Sequence, residues 1–141
     1  MQYERKEQPY EDLVHRTKRY ALQIIRLCAG LPKTMEAQVL GKQLLRSGTS
    51  VGANYREASK ARSDSEFLAK LGISLQEIEE SAYWLELLGE SSIVSTESIA
   101  TIYDETRQIT AILTAIIKKR KGSIREEPAL FESRFTQDPN I

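Results

Sequence analysis

The chain has 141 residues and a mass of 16.0 kDa, with 20 Lys and Arg against 20 Asp and Glu and a pI near 6.6. That length suits one domain with a sizeable core, and zero net charge argues against a surface built throughout to grip nucleic acid or anionic lipid. At 28% charged and 40% hydrophobic residues, neither a disordered chain nor a membrane protein is the natural class. The longest charge-free stretch is Gln108 to Ile117, and a spanning helix needs roughly twenty residues. The start, MQYERKEQPYED, lacks the apolar core of a secretory signal. One cysteine, Cys28, cannot form an internal disulfide, which suits a reducing cytoplasm. The neutral total hides opposed blocks: residues 71–105 hold eight acids and no base, whereas 106–125 hold six bases and no acid.

Helical spacing of apolar residues recurs four times. The first segment, about 9–29, opens at Pro9 and carries Leu13, Thr17, Tyr20, Ile24 and Leu27 at steps of three and four before Gly30 and Pro32 stop it. The second, about 35–61, keeps that spacing through Ala37, Leu40, Leu44, Ser47, Val51, Asn54 and Ala58. Two readings compete there. Arg46-Ser47-Gly48-Thr49-Ser50 passes for a turn on propensity. A continuous helix would instead put Gly41, Gly48 and Gly52 on one face, each costing about 1 kcal/mol relative to alanine unless a neighbouring helix approaches closely.

The third segment, about 64–88, begins with a capping box at Ser63-Asp64-Ser65-Glu66. Its seam reads Leu68, Leu71, Leu75, Ile78, Ala82 and Leu85. The fourth, about 96–121, starts near Ser95 or Thr96 and carries Ile99, Ile102, Thr106, Ile109, Leu113 and Ile116. It runs into Lys118-Lys119-Arg120-Lys121-Gly122, cations at the negative end of a helix and then a glycine stop. Four amphipathic helices on short links predict an all-α, up-down-up-down four-helix bundle over residues 1–122. Residues 123–141 read as a C-terminal tail, extended or partly disordered, with Leu130, Phe131 and Phe135 available to dock.

Catalytic chemistry finds little footing, and the expectation is a protein that is not an enzyme and carries no cofactor or metal. His15, the only histidine, falls opposite the seam of the first helix. Cys28 lies on the apolar side, whereas a reactive thiol needs an open, electropositive setting. Zinc ligands are too few, no phosphate-binding fingerprint occurs, and no Glu precedes a His by three residues as di-iron bundles require. Glu77, Glu80 and Glu90 avoid the seam and read as solvated. Glu79 and Glu86 border it and are candidates to pair with a base on a neighbouring helix.

Two surface features point to partners. Ile73, Tyr83, Trp84 and Leu87 form a second apolar stripe on the third helix, a candidate oligomer interface. Arg46, Arg56, Lys60 and Arg62 near the second-to-third helix corner, and Lys118, Lys119, Arg120 and Lys121, are candidate phosphate contacts. The competing reading gives terminal cations to the helix dipole and Arg56 with Glu57 to structural ion pairing.

Residues 31–88 carry an ordered motif: Gln43, Leu44 and Arg46; Ser50, Val51 and Asn54; Glu57; Arg62; Glu66 and Phe67; Ser74, Leu75 and Glu77. This pattern resembles the bacterial four-helix-bundle family first noticed in intervening sequences of large-subunit ribosomal RNA genes. It is also similar to the accessory variability protein of diversity-generating retroelements, and the resemblance covers about residues 10–120. It implies that the second segment is one continuous helix and that the bundle forms homopentamers around a central channel. The retroelement relatives bind nucleic acid and a reverse transcriptase through a basic surface. The resemblance therefore implies a cytoplasmic, non-catalytic oligomer associated with nucleic acid, RNA or DNA, or acting as a scaffold. The alternative is a protein-binding module with no nucleic-acid role. On either reading the motif residues Ser50, Asn54, Glu57, Arg62, Glu66 and Phe67 are expected to be structural. Two departures stand: Asn54-Tyr55-Arg56-Glu57-Ala58 replaces the common Asn-Ile-Ala-Glu-Gly, and this chain is neutral where the retroelement protein is markedly basic.

Overall fold

The computed structural model describes the backbone over residues 9–135 and the side chains over 13–124. Four α-helices follow one another: α1 (Pro9–Ala29), α2 (Met35–Ser59), α3 (Asp64–Glu90) and α4 (Thr96–Phe135). No strand forms among the described residues. Each helix packs against the next and α1 also meets α4, so the four enclose one core.

The starts of the helices are fixed by side chains that accept otherwise unpaired amide protons. Thr34 Oγ1 accepts from the amide of Ala37 at 3.3 Å, and Ser63 Oγ from that of Glu66 at 3.1 Å. The Glu66 carboxylate turns back, accepting from the Arg62 amide at 3.2 Å, one residue before the reciprocal position the capping box predicts. Ser95 Oγ accepts from the Ser98 amide at 3.3 Å and opens α4, after a link in which Ser92 adopts φ of 62°.

α2 is unbroken through Arg46 to Ser50, so the turn reading of that stretch does not hold. Two of its glycines lie against α1 and Gly41 against the link that follows it. A Cβ on Gly41 would stand 2.7 Å from Leu31 Cδ1, one on Gly48 2.8 Å from Ile24 Cγ1, and one on Gly52 3.0 Å from Thr17 Oγ1. The helix propensity given up at three positions is thus exchanged for side chains of α1 and of the link after it seated directly on the α2 backbone.

α3 turns a different face inward from the seam its leucines suggest. Phe67, Leu71, Ser74, Ile78, Ser81, Leu85 and Leu88 are buried, while Leu68, Leu75 and Ala82 are only half-buried. Two serines reach the core because their hydroxyls are satisfied there. Ser74 Oγ donates to the Val51 carbonyl at 2.7 Å across the α2–α3 contact. Ser81 Oγ lies 2.8 Å from Ser47 Oγ of α2 and 2.8 Å from its own helix's Glu77 carbonyl.

At the same level Tyr20 of α1 bonds Thr106 of α4 through hydroxyls 2.8 Å apart. Tyr20, Ser47, Ser81 and Thr106 are all fully buried, one from each helix. The core therefore contains a layer of two hydroxyl pairs, one joining α2 to α3 and one joining α1 to α4, and no buried side-chain polar atom among the described residues lacks a partner. Because each hydroxyl needs its specific partner when desolvated, the layer penalises any sliding of one helix against another.

α4 departs from expectation at its far end. The sequence predicts a stop near Gly122 and an extended or partly disordered tail from residue 123, but the α4 backbone stays helical to Phe135. A glycine ends a helix by turning left-handed, and no described glycine here has positive φ. Within a continuing helix it only costs about 1 kcal/mol. Residues 136–141, and the side chains of Leu130, Phe131 and Phe135 expected to dock, lie outside the described residues.

Candidate functional site

The α2–α3 seam is closed on its outer side by charge. Arg46 donates to Glu77 at 3.2 Å and to Glu80, which also accepts from the Trp84 indole at 3.3 Å. The bond to Glu80, with the field of both carboxylates, raises the Arg46 guanidinium further above its ordinary pKa. One candidate phosphate contact is therefore committed to two acids, and Glu77 and Glu80 are paired rather than simply solvated. Farther along, Lys70 Nζ lies 2.6 Å from Glu57, the hydrogen bond that raises the lysine's pKa. Ser50 donates to the Arg46 carbonyl at 2.6 Å and Asn54 to the Ser50 carbonyl at 2.9 Å, both within α2.

The remaining basic candidates separate into two places. Arg56 lines a shallow cleft with Lys18 on the α1–α2 side. Arg62 and Arg120 instead share a cleft of about 570 Å³ at one end of the bundle, with Ser59, Ser63, Asp64 and Phe67. Arg120 donates to Asp64 at 2.7 Å and lies over the Phe67 ring at 4.4 Å. This contact brings the α2–α3 corner and the basic run of α4 to the same end. Lys118, Lys119 and Lys121 lie within a turn of Arg120, and Lys60 caps α2 beside Arg62. The side chains of Lys60, Arg62, Lys118, Lys119 and Lys121 are exposed and make no ion pair among the described residues.

The apolar stripe of α3 also divides. Ile73 is 39% and Tyr83 52% exposed. Leu87 is half-buried, and Trp84 packs partly on the core beside Glu80, its ring 5.1 Å from that of Tyr83. Glu86 pairs with a phenol and not with a base: it accepts from Tyr103 of α4 at 2.6 Å, which raises the phenol's pKa. Glu79 is exposed.

Sequence reasoning passed over the α1–α4 pair. Arg16 grips Glu105 through two bonds of 2.6 and 3.1 Å and Gln108 through a third of 2.8 Å. No local spacing connects residues that far apart.

For chemistry the fold provides little. His15 is exposed. Cys28 is half-buried, its thiol pushed up by burial and donating to the Gly41 carbonyl at 3.4 Å, the opposite of an activated thiolate. Burial pushes Tyr20 up to about 12. Among the described residues no three His, Cys, Asp or Glu side chains gather to hold a metal ion, and no helix is long and apolar enough to cross a membrane.

The architecture is that of an all-α bundle whose distinctive surface groups are charged ends and faces. The chain belongs to the 23S rRNA-intervening sequence protein family, whose model matches residues 11–115. It is similar to a crystal structure from Bacteroides thetaiotaomicron described as a protein of unknown function from the S23 ribosomal protein family. The two share 38% identity over 77% of this chain and 97% of the other, with a TM-score of 0.73. No curated protein sequence matches the chain.

Proposed function

We propose that this protein is a non-catalytic, cytoplasmic, up-down-up-down bundle that assembles into a homopentamer and contacts nucleic acid through one end of each bundle. The up-down order is supported by pairs whose numbers run oppositely on neighbouring helices: Thr17 with Gly52 and Leu31 with Gly41, Arg46 with Glu80 and Glu57 with Lys70, Glu86 with Tyr103 and Asp64 with Arg120. Assembly is supported by exposed Ile73 and Tyr83 on α3.

The observation that carries the nucleic-acid reading is the exposure of Lys60, Arg62, Lys118, Lys119 and Lys121 at the end of the bundle where Arg62 and Arg120 line one cleft. Such a cluster neutralises phosphates without reading bases, so binding would tolerate sequence and fall steeply with salt. Fluorescence anisotropy with RNA and DNA fragments over a salt series tests it. The expected result is binding at low salt with a negative log–log slope; no binding at low salt removes the nucleic-acid role. The exposed Tyr83 and Ile73 favour, as second reading, a protein-binding assembly module alone, which that result would leave standing.

A further inference from the structure

The sign of charge follows the helices. Residues 13–62, spanning α1 and α2, hold ten bases and two acids, whereas 63–105, spanning α3 and the start of α4, hold ten acids and one base. Both acids of the first group avoid the outer α1–α2 seam by helical position, and Glu57 is paired with Lys70 of α3.

That outer seam is a groove. Two shallow clefts of about 290 and 230 Å³ lie along it, edged by Ile25, Lys42 and Leu45 in one and by Lys18, Thr49 and Arg56 in the other. Leu22, Ile25 and Leu45 are 40%, 44% and 38% exposed, an unusual set of branched apolar side chains among lysines. The helix whose exposed side complements this is α3. Ile73, Gln76, Glu80, Tyr83, Leu87 and Glu90 recur at steps of three and four on its outer side, a ridge of three apolar side chains with Glu90 as the acid not already held by Arg46. At 1.5 Å per residue the ridge is about 25 Å long and the α2 side of the groove, from Gln38 to Arg56, about 27 Å.

We propose that copies of this chain join through these two unlike faces, the α3 ridge of one copy seating in the α1–α2 groove of the next. This rests on the self-assembly reading above and names the half of the interface that reading lacks. Ile73, Tyr83 and Leu87 are the anchors that enter the groove, in the manner of an amphipathic helix on an apolar cleft. Glu90 and its acidic neighbours meet the field of Lys18, Lys42 and Arg56. A contact between unlike faces leaves one of each free after every addition, so growth ends only when a ring closes. It also leaves the Lys60 and Lys118–Lys121 end outside the joint.

A mixing experiment tests the pairing by light scattering after size exclusion. The groove variant is Ile25→Glu/Leu45→Glu and the ridge variant Ile73→Ser/Tyr83→Ser, both checked for helical circular dichroism. Each alone is expected to run at the 16.0 kDa mass of one chain. Mixed, the intact ridge of the first meets the intact groove of the second, and a one-to-one pair that grows no further should appear. Should the groove variant lose its helical signal, Lys18→Glu/Lys42→Glu replaces it, since both side chains are exposed. A parent oligomer whose mass survives either variant overturns the pairing and leaves assembly standing. Two monomeric variants that fail to complement overturn it as well. A monomeric parent refutes assembly itself.

Discussion

Gly48 offers a direct test of the close α1–α2 approach, because two effects of known sign oppose each other there. Alanine in place of an interior glycine favours a helix by about 1 kcal/mol. The new Cβ would stand 2.8, 2.9 and 3.3 Å from Cγ1, Cγ2 and Cβ of Ile24. Carbon atoms rest about 3.5–4.0 Å apart, so α1 would have to retreat by about 0.7 Å at this level. Ile24 cannot easily turn aside, being fully buried and stiff at χ1. Overpacking of a filled core costs about 1–3 kcal/mol, so Gly48→Ala is expected to lose about 1 kcal/mol net. Gly72 of α3 has nothing within 4 Å of its Cβ direction. Gly72→Ala should therefore gain about 0.4–1 kcal/mol. Urea denaturation followed by far-ultraviolet circular dichroism, at equal chain concentration because assembly shifts apparent stability, reads both. A Gly48→Ala variant as stable as its parent, alongside a stabilised Gly72→Ala, would refute the close approach.

Three further outcomes are expected. Tyr20→Phe leaves the hydroxyl layer short of one member and should cost about 1 kcal/mol at neutral pH by the same denaturation assay. Tyr20 is also raised from 10.0 to about 12 by burial, so folding favours its neutral form. Its contribution is whole below pH 10 and declines between 10 and 12 by up to about 1.4 kcal/mol per pH unit; parent minus Tyr20→Phe stability across that range should show this decline, and a flat difference would refute it. Tyr83→Glu places a charge on the α3 ridge and should lower the mass measured by light scattering, with melting temperature little changed.

Much of the architecture was written in periodicity, but residues defined by distant partners were not. α1 and α4 show apolar steps that the core uses nearly unchanged, since Leu13, Tyr20, Ile24, Ile99, Ile109 and Leu113 bury as their spacing predicts. The continuity of α2 could not be decided from its own residues, because Gly48 costs helix stability unless Ile24 stands against it, and Ile24 lies on another helix. Ser74 and Ser81 lie outside the seam that the leucines of α3 suggest. Their burial depends on the Val51 carbonyl and the Ser47 hydroxyl, which sequence does not place. Arg46 looked available for phosphate, and only the opposition of α2 and α3 reveals Glu77 and Glu80 beside it. The gathering of Arg62 and Arg120 likewise depends on which ends of α3 and α4 adjoin.

The most direct test of the functional account compares salt dependence of RNA binding in the parent, in Lys118→Gln/Lys119→Gln/Lys121→Gln and in Arg46→Gln. For a single strand each phosphate neutralised contributes about −0.7 to the slope of log affinity against log salt. The account predicts that the triple variant flattens the slope by about 0.7 for every lysine engaged, while Arg46→Gln, whose charge already serves Glu77 and Glu80, leaves it unchanged. A triple variant that binds with the parent's affinity and slope would contradict it.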